Sequence, residues 1–192
     1  NIGYMWVSQL IAKKGDHTTE SATGGRVIKP FVVNPEPCKT MEVNLYMTTS
    51  VINGQDYLFL GTEGHQLFVC NLEDMVRERV VRTPFGISRA MTTDKDGMIW
   101  VGGDAAVLFR YDPYTNTSMT TRNYKLAGGI DGTSSAFSMT SDEDGNIYFG
   151  SYSQGYVVQY NPRTDQFKKM GGRINEDCQY ACGVVVKDGF LY

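Results

Sequence analysis

The sequence predicts an all-β protein, a β-propeller of about four blades with four antiparallel strands each. Three observations carry this: a long repeat, a tight-turn signal inside each copy, and a proline-terminated strand after it. The repeat is Met91-Thr92-Thr93-Asp94-Lys95-Asp96-Gly97-Met98-Ile99-Trp100-Val101-Gly102, which returns as Met139-Thr140-Ser141-Asp142-Glu143-Asp144-Gly145-Asn146-Ile147-Tyr148-Phe149-Gly150, a period of 48 residues. Repeats of this size with strand-and-turn chemistry inside each copy are the mark of a propeller.

Asp-Gly between apolar alternations signals a tight hairpin. Asp96-Gly97 therefore joins an inner strand over 88–93 to a second strand over 98–102. A third strand covers 107–113 and is matched by 156–162; Pro113 and Pro162 end these strands because proline has no N–H to donate. Turns at 114–116 and 163–165 lead into outer fourth strands, 117–124 and 166–170.

The same frame extends upstream through Met47-Thr48-Thr49, the Asn53-Gly54 turn, and strands over 57–62 and 67–71. Downstream it continues through 183–186, Asp188-Gly189 and 190–192. At the other end, residues 3–8 around Trp6 match the Trp100 strand, and a third strand is expected over 27–35. The blade units are thus approximately 1–43, 44–86, 87–133 and 134–180, with the start of a further blade at 181–192. Both ends fall at the same phase, inside a second strand, which leaves unpaired edges. A fragment of a larger ring is expected in preference to a small ring closed on itself.

A chain of 192 residues suffices for one well-buried domain. Its 21 glycines, 12 tyrosines and 20% charged residues suit turn-rich β structure. The net charge of −3 gives no electrostatic reason to expect nucleic acid. No apolar run approaches the roughly 20 residues of a membrane span, and these residues show no signal peptide, which an excised fragment would have lost. Cys70 alternates with Leu67 and Val69 as a small buried hydrophobe, while Cys178 and Cys182 are either free thiols or a local disulfide. With His17 and His65 as the only histidines, no metal site and no cofactor are expected.

Function is expected in the loops joining strands two and three and in the crossings between blades, which open on one face of a rigid scaffold. Glu63 and His65, two residues apart, read either as an acid/base pair or as a polar turn with a solvated imidazole. Arg89 and Arg173 enter inner strands, where a guanidinium holds a carboxylate or sulfate bidentately or else pairs with Asp131, Asp177 or Glu176. Asp104 lies in a two–three loop, and Tyr152, Tyr156 and Tyr180 offer stacking surface. Trp100, Tyr148 and Phe59 recur at one blade position and read as packing between blades. Residues 128–132 are Gly-rich but open no helix, which gives little support for phosphate binding. The polar stretch 15–26 reads as an insertion, mobile or functional, and adds His17 and Arg26 to the candidates.

The unit Asp-x-Asp-Gly-x-Ile-aromatic-x-Gly, followed by Tyr-Asp/Asn-Pro-x-Thr, resembles blades of the streptogramin lyase-like and two-component-regulator propellers over about 45–192. The resemblance implies the fold and a range of functions that includes sensors, glycan-associated proteins and lyases. The leading expectation is a binding or sensing domain of a larger protein that recognises a small molecule, glycan or protein segment. The alternative is a lyase acting on a polysaccharide or cyclic ester, using His65 with Glu63, Tyr152 or an arginine. A third is a scaffold for protein assembly. Expected partners are that ligand and the remaining blades or domains of a parent chain, without nucleic acid or a membrane span. The expected compartment is extracellular or periplasmic.

Overall fold

The computed structural model describes residues 18–20, 26–28, 44–74, 76–128 and 133–192. They fall into two units, 1–40 and 41–192. In the first, β1 (Thr18–Glu20) pairs antiparallel with β2 (Arg26–Ile28), Thr19 opposite Val27. The stretch read as an insertion therefore contains half of a short hairpin; Thr18, Thr19, Val27 and Ile28 are β-branched and suit a pleated ladder. The strand expected around Trp6, most of the strand expected over 27–35, His17 and Asp131 lie outside the described residues.

The second unit is built of three four-stranded antiparallel sheets, each formed by consecutive strands. The first contains β3 (Asn44–Ile52), β4 (Gln55–Thr62), β5 (Gln66–Asn71) and β6 (Arg77–Arg82). The second contains β7 (Ser88–Thr93), β8 (Ile99–Gly103), β9 (Leu108–Asp112) and β10 (Thr117–Thr120). After the short helix α1 (Tyr124–Gly128) come β11 (Ser135–Ser141), β12 (Ile147–Tyr152), β13 (Val157–Asn161) and β14 (Gln166–Lys169). A final hairpin joins β15 (Val186–Lys187) to β16 (Phe190–Leu191), extended by reciprocal Val185 and Tyr192 backbone bonds of 2.9 and 2.8 Å.

Two kinds of turn close the inner hairpins. Asn53 and Gly54 both have positive φ, as do Asp188 and Gly189, which is the two-residue turn that matches strand twist. The Asp96-Gly97 turn is wider: Gly97 N–H bonds the Asp94 carbonyl and Asp94 N–H bonds the Met98 carbonyl, with only Gly97 at positive φ. The Asp94 carboxylate fills this loop, accepting from the Asp96 and Met98 N–H groups and, at 2.8 Å, from Trp100 Nε1. Asp142 does the same with Asn146 and the Tyr148 hydroxyl.

The outer strand expected over 117–124 stops at Thr120. Thr121 Oγ1 accepts from Leu108 N–H, the Asn123 side chain caps α1 by accepting from Lys125 N–H, and Tyr124 packs on Phe149 and Phe167 of the next sheet. A strand continued through Tyr124 would forfeit that burial.

The cores lie between successive sheets. Phe59 meets Tyr111 edge-on at 6.3 Å and Trp100 meets Tyr160 at 5.6 Å, so the second strand of one sheet packs on the third strand of the next. Tyr148, at the same phase, departs from the expected packing: it is half-buried and held within its own sheet by Asp142 and Gln159. Inner strands are also stitched together, Thr93 Oγ1 donating to the Thr49 carbonyl and Ser141 Oγ to the Thr93 carbonyl. Second-strand glycines permit this approach, since a Cβ on Gly61 or Gly102 would sit 2.6 Å from the Cβ of Ser88 or Ala136.

Burial by itself raises the Asp142 carboxyl, but hydrogen bonds from Asn146, Tyr148 and the Asp144 backbone outweigh it and hold the pKa below the ordinary carboxylate value. A depressed folded-state pKa contributes stability above the unfolded value that is lost as pH falls through the folded one. Below about pH 4, wild-type stability is expected to fall more steeply than that of Asp142→Asn. Urea midpoints measured against pH check this, and parallel curves would contradict it.

Candidate functional site

The register of each inner hairpin slips once, and at the same phase. Asn44 and Tyr46 oppose Thr62 and Gly61, Ser88 and Ala90 oppose Gly103 and Gly102, and Ala136 and Ser138 oppose Ser151 and Gly150. Leu45, Arg89 and Phe137 are therefore the extra residues of three equivalent β-bulges. A bulge re-aims a side chain and interrupts pairing, and bulges concentrate near functional sites.

Arg89 and Phe137 come together across two sheets: the guanidinium lies over the Phe137 ring, 4.9 Å from its centroid. Phe137 in turn meets Tyr180 edge-on at 5.2 Å and Tyr152 at 5.6 Å, and the two tyrosines stack at 4.6 Å and 24°. Tyr152 ends β12, and Tyr180 is bridged to it from the crossing segment. Next to that bridge, Ala181 N–H bonds the Ser151 carbonyl at 3.1 Å while Ser138 Oγ donates to the Ala181 carbonyl at 2.9 Å. Desolvation and the neighbouring Tyr152 hydroxyl raise the Tyr180 pKa, against a lowering effect of Arg89. Tyr180 is therefore a neutral phenol at physiological pH, and 43% of it is exposed.

The remaining candidates are placed differently. Glu63 and His65 are both exposed, and no hydrogen bond or ion pair joins them. The imidazole instead shares the space over Gly86 with Asp104: a Cβ built there would lie 3.0 Å from Asp104 Oδ2 and 3.9 Å from His65 Nε2. His65 and Asp104 thus both approach Gly86, with no hydrogen bond or ion pair between them, and Arg89 stands with the aromatic rings. Arg173 does not pair with Asp177 or Glu176; its Nε and Nη2 donate to the Gln154 and Cys178 carbonyls at 3.0 and 3.2 Å. It ties the crossing to the two–three loop. Arg89 likewise forms no ion pair among the described residues. Tyr156 is half-buried beneath Lys169, whose Nζ is 4.2 Å from the ring centroid. Cys178 and Cys182 are free thiols, and burial pushes Cys70 up to about 11. Residues 129–132 are outside the described part, and 124–128 are helical. Among the described residues no cluster is placed to hold a metal ion, and no helix is long and apolar enough to cross a membrane.

Phe137 is the member of the wall that motif reading passes over. Its signal lies in the phase of the repeat, because Leu45, Arg89 and Phe137 each stand two residues before the methionine that opens a copy. Glu63, Asp104 and Tyr152 are equivalent in the same way, each two residues after the second-strand glycine.

Consecutive four-stranded sheets packed second strand onto third, with the inner strands stitched side by side, define a β-propeller fold. No protein-family model and no curated protein matches the chain. Among solved structures, the Dos1 propeller matches with TM-score 0.54 and 12% identity, covering 82% of this chain and 39% of that one. The extracellular domain of a protein described as a one-component system of B. thetaiotaomicron matches with TM-score 0.51 and 18% identity, over 71% of this chain and 18% of that one. The chain spans less than half the length of either structure.

Proposed function

We propose that this chain is a ligand-binding or sensing propeller domain that takes a small molecule, glycan or protein segment against the wall formed by Arg89, Phe137, Tyr152 and Tyr180. The observation that carries the reading is the wall itself: one cation and three rings, brought from inner-strand bulges, a strand end and a crossing, with Tyr180 left partly open. Stacked rings on a rigid scaffold give a flat ligand face contact area at little entropic cost. The likeness to an extracellular domain of a one-component system supports a sensing role.

The test is calorimetric titration of the purified chain with neutral and acidic oligosaccharides and small ring compounds. Saturable binding is expected, weakened about tenfold or more by Tyr180→Ala, the equivalent of roughly 1.4 kcal/mol. Tyr180 is 43% exposed, so the variant should still fold cooperatively, with its melting temperature lowered only by the loss of two ring contacts. Unchanged affinity in Tyr180→Ala would remove the wall from the reading.

A further inference from the structure

We infer that Arg89 is the docking point for a carboxylate, so that the preferred ligand is a ring bearing a carboxylate, its face on the tyrosine stack and its charge on the guanidinium. This rests on the binding reading above and narrows it to a ligand class.

Arg79 donates to the Tyr111 hydroxyl and the Pro113 carbonyl, Arg122 pairs with Asp165, and Arg173 holds two carbonyls. Arg89 makes none of these commitments among the described residues. Its guanidinium carbon sits 4.9 Å from the Phe137 ring centroid, and a cation held over a ring face can still turn N–H donors toward an anion. Arg77 and Arg110 also lie over rings, Phe68 and Trp100, but from β6 and β9; Arg89 does so from an inner-strand bulge.

Arg89 is half-buried and pairs with no carboxylate among the described residues, and a partly desolvated cation gains from an anion that reaches it. The planar fork of donors matches a carboxylate bidentately. Arg89 also acts electrostatically on the Tyr180 phenol, which has Tyr152 beside it, so the ring face and the charge lie on one continuous wall. One ring, Phe137, separates the guanidinium from Tyr180, with centroid spacings of 4.9 and 5.2 Å. An aromatic acid and a uronic sugar both carry a flat or apolar face with a carboxylate, and the titration distinguishes them.

The experiment compares 4-hydroxybenzoate with its methyl ester, and methyl glucuronide with methyl glucoside, by calorimetry on the whole chain at pH 7. One acid is expected to bind at least about tenfold more tightly than its neutral partner, as for a hydrogen bond to a charged group. Arg89→Gln should abolish that preference, while Tyr180→Ala should weaken acid and neutral ligand alike. If Arg89→Gln melts early, salt decides on the wild type: raising it from about 50 to 500 mM should weaken the acid and spare the neutral partner. Equal affinity for acid and neutral partner, or a preference that survives Arg89→Gln or high salt, overturns the inference and leaves the binding reading in place. No binding by any of the four compounds counts against both.

Discussion

Trp100→Ala is expected to remove about 3–5 kcal/mol of stability from the 41–192 unit, the range for deleting a buried aromatic. Trp100 is 1% exposed and fills the space between two sheets, edge-on to Tyr160, with Arg110 over its face. Truncation leaves a cavity where the sheets meet. It also takes the Nε1 donor from Asp94, whose carboxylate organises the inner turn. Trp100→Phe keeps most of the packing but not the donor, and should cost less, about 1–3 kcal/mol. Since domains hold only about 5–15 kcal/mol in total, the alanine variant should show a greatly lowered urea midpoint or arrive unfolded. A loss below about 1 kcal/mol would mean that this contact does not hold the sheets together.

Gly150→Ala should be the second most damaging change, despite adding a single carbon. A Cβ at Gly150 would be driven onto the Ala181 carbonyl oxygen, a backbone atom that cannot rotate away as a side chain does. Either β12 or the segment after Tyr180 must move, at a cost of about 1–3 kcal/mol, as for overpacking elsewhere. Ala181 adjoins Tyr180 and is pinned to Ser151 and Ser138, so the shift should also displace the Tyr180 ring from its stack on Tyr152. Gly183→Ala is the control: nothing lies within 4 Å of its Cβ position, and it should stay within about 0.5 kcal/mol of wild type. Thermal melts of both variants check this, and coincident curves would show that the close approach at Gly150 is not needed.

Much of the blade was legible because propeller strands are made by local signals. Asp96-Gly97 and Asp144-Gly145 announced the inner turns, Pro113 and Pro162 the ends of third strands, and recurrent Phe59 and Trp100 the contact between sheets. The outer strand expected over 117–124 ends at Thr120 because Tyr124, although in strand phase, is buried against Phe149 and Phe167 of the next sheet from a helical turn. Tyr148 shares Trp100's phase without sharing its burial, so phase specified position and not environment.

The candidate site was legible only in pieces. Arg89 stands out as an arginine entering an inner strand and Tyr152 and Tyr180 as stacking surface, while Phe137, which joins them, carries no motif. Glu63 and His65 are linked by sequence proximity, whereas in the fold His65 and Asp104 both approach Gly86, and His65 pairs with neither carboxylate. Arg173 has the composition of a ligand-binding residue but spends its donors on carbonyls.

The repeat, the inner turns, the ends of the third strands and the strand order within each blade follow from the residues alone, because each depends on neighbours a few positions away or on a regular period. Which of the candidate side chains meet one another depends on the packing of successive sheets. One bulge residue per inner strand re-aims Arg89 and Phe137, and the resulting contact spans separate blades, a distance in sequence over which no local propensity acts.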